Sequence, residues 1–161
     1  MNRIRNFTRG LGLALAIILV SACTPKAEYS EGLETLRKEF EAANSAASIQ
    51  PLLALYYTEG CDDASLTLLK SALINELGLP IKEITFEPLS GAPEEEIRYT
   101  HNGVEYGPSL EPGYRMRINY NVEDRLTSLF TIGRTGNGDW RIVCARLVLN
   151  PELVERVETA K

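Results

Sequence analysis

The stretch DDASLTLLKSALINELGLPIKEITFEPL, Asp62–Leu89, changes its hydrophobic period halfway along. Up to Leu77 the leucines at 66, 69, 73 and 77 fall three or four residues apart, the spacing of one helix face. Asp62 or Asp63 stands where a helix needs an acceptor for its unpaired N–H groups. Gly78 suits a left-handed C-terminal cap, Leu79 can fold back on Ile74, and Pro80 forbids another turn. From Ile81 the period falls to two, which puts Ile84 and Phe86 on one face of a strand. A punctuated helix that gives way to a strand makes this a chain of helices followed by sheet.

Working towards the N-terminus, Leu33, Leu36, Phe40, Ala43 and Ala47 repeat at helical spacing, with Glu34, Arg37, Lys38 and Glu41 outside. Ser48 reads as the N-cap of a second helix, with Pro51 in its first turn and Leu52, Leu53, Leu55 and Tyr56 behind. Towards the C-terminus, IRYTHNGVEYG reads as two short strands around His101-Asn102-Gly103, because Asn-Gly favours positive φ in a tight turn. In YRMRINYNV, Tyr114, Met116, Ile118, Tyr120 and Val122 face one way and Arg115, Arg117, Asn119 and Asn121 the other. LTSLFTIGR and WRIVCARLVL flank TGNGD as a second hairpin, and Asn150-Pro151 can open a last short helix through Val157. The order predicts an α+β domain, two or three N-terminal helices packed on a curved antiparallel sheet.

Opening helices, LLALYYTEG after the second of them, a strand meander and the closing TGNGDWRIV hairpin resemble the nuclear transport factor 2 superfamily. That resemblance implies a cone-like roll over about Ser30 to Leu149. Many of its members, the SnoaL-like ones among them, place a strand pair between the second and third helices. No such pair is evident here.

The first residues differ in character from the rest. Arg3, Arg5 and Arg9 precede an apolar run from Leu11 to Val20, and the first acid is Glu28. The run is about half the roughly 20 residues a membrane-spanning helix needs, and its plan is that of a secretory signal. Val20-Ser21-Ala22-Cys23 resembles the lipobox of bacterial lipoproteins. The resemblance implies cleavage before Cys23, a diacylglycerol on its sulfur and an acylated new amino end. Thr24 in place of Asp then leans towards the outer membrane, facing the periplasm, if the source has one. Residues 1–22 are thus expected to be a lipoprotein signal peptide, 23–30 a lipidated tether and 31–161 a single roll domain.

At 161 residues, 44% hydrophobic and 24% charged, the chain has the size and balance of one globular domain. Its formal charge of −5 becomes −8 without the three arginines of residues 1–22. An acidic body argues against nucleic acid or anionic lipid as a partner, since both need a basic footprint, and leaves the lipid on Cys23 as the expected membrane contact.

Chemistry-bearing residues are few. Cys61 and Cys144 would close a loop of about 80 residues if bridged, worth about 4 kcal/mol on loop entropy. A free Cys144 in mid-strand would instead behave as a small hydrophobe, so bridge and two independent thiols both stand. With one His and no Cys or His pair at ligand spacing, neither metal nor cofactor is expected. No Ser-His-Asp order, Gly-x-Ser-x-Gly elbow or phosphate-cradling loop occurs. His101 titrates nearest neutrality by type but sits in a predicted surface turn. Glu94-Glu95-Glu96 reads as a solvated loop. Tyr56, Tyr57, Tyr99, Tyr114 and Tyr120 form the candidate pocket wall, since aromatic sides with polar tips line small-ligand sites.

The sequence therefore points to a lipid-anchored envelope protein acting as a non-enzymatic module for a small ligand or a protein. Two rivals stand beside it. One is a roll-type enzyme using Tyr56, Tyr99 or His101 on a small organic substrate; the other is an accessory subunit of an envelope complex.

Overall fold

A computed structural model describes residues 26–123 and 125–148, with side chains from residue 31 onward. The signal peptide, Cys23 and the helix expected after Asn150 lie outside the described residues.

Helix α1 spans Lys26–Asn44 and so begins inside the stretch read as tether. Leu33, Leu36, Phe40 and Ala43 are its buried stripe, but the helix stops before Ala47, which is exposed. Asn44 closes it: its side-chain amide donates to the Leu79 carbonyl at 2.8 Å, and its own carbonyl accepts from Gly78 N at 3.0 Å. One buried side chain thus locks the end of α1 to the loop after α3, Asp63–Glu76.

Helix α2 is a single turn, Gln50–Leu53, with Pro51 in its first positions. Ser48 does not cap it: Ile49 occupies the cap position and no side chain bonds there. Nor does the helix reach Tyr56. Tyr56–Tyr57 is instead a two-residue strand, β1, running parallel to β7, Trp140–Val143. A short helical signal was overridden by a distant strand, whose Ile142 N–H bonds the Leu55 carbonyl at 2.9 Å.

Helix α3 follows its punctuation closely. Asp62, not Asp63, is the N-cap, and its Oδ1 accepts from Ser65 N at 2.6 Å. Gly78 takes φ +77, the left-handed geometry a C-terminal cap favours. Leu73 is buried and Leu66, Leu69 and Leu77 partly so, while Ile74 remains exposed.

The main sheet has the order β1-β7-β6-β5-β2, with β2 at Ile81–Pro88, β5 at Pro112–Tyr120 and β6 at Thr127–Arg134. It is antiparallel except at β1. A second, three-stranded antiparallel sheet joins β3, Tyr99–His101, β4, Val104–Pro108, and β8, Ala145–Leu147. Asn102 and Gly103 turn β3 into β4 with φ of 51° and 76°, as Asn-Gly predicts. The fold is thus α+β, with helices packed against a mixed, mainly antiparallel sheet.

Met116, Ile118, Ile132 and Ile142 put the sheet's inner face into the core, opposite Leu36 and Phe40 of α1 and Leu52 and Leu73. Trp140 seats α1 on that sheet. A Cβ at Gly32 would lie 2.8 Å from its indole Cδ1, and one at Gly113 would lie 3.0 Å from Cζ3. Two missing side chains make the slot that the indole fills.

Candidate functional site

The outer face of the main sheet corrects the reading of the Glu94–Glu96 run. Glu95 is 3% exposed, because the segment after β2 folds back over the sheet and carries it inward. Its carboxylate accepts from Ser90 N at 2.7 Å, Gly91 N at 2.9 Å and Ala92 N at 3.2 Å, and from Ser90 Oγ at 3.0 Å. Arg115 Nη1 completes the set at 3.0 Å. Burial works to raise the Glu95 pKa, but the bonds from Ser90, Gly91 and Ala92 outweigh it and hold the carboxyl below its usual range. Arg117 pairs with Glu87 at 2.7 Å on the same face. The first pair fastens a loop to the sheet and leaves the Glu95 carboxylate fully engaged, and the second ties β5 to β2.

The opposite corner of the molecule is built differently. Asp62 Oδ2 accepts from the Tyr106 hydroxyl at 3.2 Å while Oδ1 caps α3, so one carboxylate ties the helix start to β4. The bond to the Ser65 backbone, ahead of the Tyr106 hydroxyl, holds the Asp62 pKa low. Tyr106 in turn stacks on Tyr99, its partner across the strands, with ring centroids 4.9 Å apart and planes 8° from parallel. Next to this pair Cys61 and Cys144 are joined by a disulfide. The far end of α3 is held by Glu76, which accepts from the Tyr120 hydroxyl at 3.0 Å and Ser128 Oγ at 2.8 Å.

Between α3 and this corner lies a cleft of about 210 Å³. Tyr56, Leu66, Leu69 and Cys144 line it, and Leu68 and Tyr99 stand at its mouth, 73% and 48% exposed. No Asp, Glu, His, Lys or Arg is among its lining residues. The buried phenol in its wall, Tyr56, has its pKa pushed up by burial first and by Glu76 and Tyr120 next. A phenol of that kind stays protonated and is a poor base at neutral pH.

Of the tyrosines singled out from sequence, the structure brings Tyr56 and Tyr99 to this cleft. Tyr57 bonds Glu59 at the surface, Tyr114 meets Trp140 edge to face, and Tyr120 is a buried partner of Glu76. His101 is exposed in the β3–β4 turn, within hydrogen-bond reach of its neighbour Asn102. Leu68, which dominates the mouth, was missed by the sequence reading; its signal was a leucine lying off the buried stripe of α3. Comparison with protein families finds none that matches this chain, and no curated protein matches it.

Proposed function

We propose that this is a lipid-anchored, non-enzymatic interaction module of the cell envelope, which captures an apolar side chain of a partner protein in the α3 cleft. The observation that carries this reading is the cleft's size together with its exposed mouth. Small-molecule pockets commonly run to about 300–1,000 Å³. At about 210 Å³ this one suits a leucine or an aromatic side chain better than a whole metabolite. A large aliphatic residue left 73% exposed beside an aromatic stack gives a partner an apolar rim to cover. The rigid corner made by Asp62, Tyr106 and the disulfide lowers the ordering cost of capture.

The lipobox at Val20–Cys23 supports the anchor, and a disulfide suits an extracytoplasmic setting. We also read the domain as the cone-like roll of the nuclear transport factor 2 superfamily. Supporting this are the helices packed on a β5-β6-β7 meander and the parallel pairing of β1 with β7, the last strand of that sheet.

Two experiments test the proposal. Cys23→Ser should abolish lipid labelling and leave unprocessed precursor; normal processing would sink the anchor. Leu68→Asp should abolish binding of N-acetyl-phenylalaninamide while the fold is kept; undiminished binding would place the interaction elsewhere.

A further inference from the structure

On the three-stranded sheet, Tyr99 pairs with Tyr106, and Gly107 with Arg146. Arg98 precedes Tyr99, so it comes opposite Gly107, and Arg98, Gly107 and Arg146 share one rung. Gly107 carries no side chain at the middle of that rung; a Cβ there would lie 3.0 Å from Val148 Cγ2 and 3.7 Å from Arg98 Nη1, so the Arg98 guanidinium reaches over the glycine beside the valine. The stem of Arg146 lies against a second bare position, since a Cβ at Gly60 would be 3.3 Å from its Cδ. Both arginines are exposed and line one cleft of about 590 Å³ together with Ser109, Glu111 and Val148.

Four other arginines of this acidic chain find carboxylates. Arg37, Arg115, Arg117 and Arg141 each pair with a Glu. Among the described residues neither Arg98 nor Arg146 has such a partner, Glu111 included. Two guanidinium groups without a carboxylate partner, on one rung and in the wall of one cleft, form a clamp for an oxyanion. A carboxylate offers two oxygens and satisfies one fork, whereas a phosphate monoester presents three terminal oxygens and can be shared by two. The net negative charge does not oppose this at contact range, because salt screens distant charges beyond about 8 Å.

We propose that this cleft is an anion site in which Arg98 and Arg146 together grip a phosphate monoester, either a soluble phosphate or a lipid headgroup. It is independent of the α3 cleft and of its proposed partner.

The test places the full chain in phosphatidylcholine bilayers and follows the arginine Nε–Hε resonances. Saturable shifts of Arg98 and Arg146 with inorganic phosphate, at constant ionic strength, assign a soluble source. Shifts that arise only when phosphatidic acid is in the bilayer assign a headgroup. In either case Arg98→Gln and Arg146→Gln should each weaken binding about tenfold, and Lys70→Gln, the same charge change on exposed α3, should not. No saturable shift from either source, or equal weakening by Lys70→Gln, overturns the proposal.

Discussion

Tyr99 lies flat on Tyr106, ring centroids 4.9 Å apart, and Asp62 holds the second ring by its hydroxyl. The cap of α3 and the wall of the cleft are therefore one unit. Asp62→Ala should lower stability and loosen the stack together, read as a lower Tm and a changed near-ultraviolet tyrosine signal. Asp62→Asn keeps a capping oxygen and should retain most of the stability. An unchanged tyrosine signal in the Ala variant would separate cap from wall.

Glu95 gives a pH prediction with a definite sign. Its folded pKa is depressed below the usual carboxylate value, so its contribution is present above that value and lost as pH falls through the folded one. Glu95→Gln should therefore lower Tm by several degrees near pH 7, and the gap from wild type should close in acid. A gap that grows in acid would contradict the engaged, ionised carboxylate.

Gly32 sits within a helix, where Ala would ordinarily add about 1 kcal/mol of stability. Here a Cβ would press within 2.8 Å of Trp140 Cδ1. Overpacking of this kind costs about 1–3 kcal/mol, so Gly32→Ala should come out neutral to destabilising by up to about 2 kcal/mol. Gly136→Ala, with open space around it, serves as the control in the same denaturant series.

The Cys61–Cys144 bridge spans a sequence separation of 83 residues. On loop entropy its loss should destabilise the fold by about 4 kcal/mol. Wild type in reductant and the Cys61→Ser, Cys144→Ser double variant should show matching drops in denaturant midpoint. Two titratable thiols in the unreduced protein would rule the bridge out.

Local chemistry was legible in the sequence, and long-range chemistry was not. The α3 stripe, its stop at Gly78, the Asn102-Gly103 turn and the alternation of β5 each depend on neighbours within a few residues. β1 was hidden because two residues carry no period; its partner lies in β7. Glu95 looked like part of a solvated run because its donors come from a loop folded over the sheet, with Arg115 arriving from β5. For the cleft, tyrosine content drew attention to Tyr56 and Tyr99. The leucines opposite them became a site only once Asp62 and Glu76 fixed both ends of α3.

The most direct test of the central claim is a methyl-resonance titration of the full chain with N-acetyl-phenylalaninamide and N-acetyl-leucinamide. The account predicts saturable shifts at Leu66, Leu68 and Leu69, abolished by Leu68→Asp, with the core methyls of Ile118 and Ile132 unmoved. Shifts absent from the α3 leucines, or persisting in the Leu68→Asp variant, would contradict a cleft that captures apolar side chains.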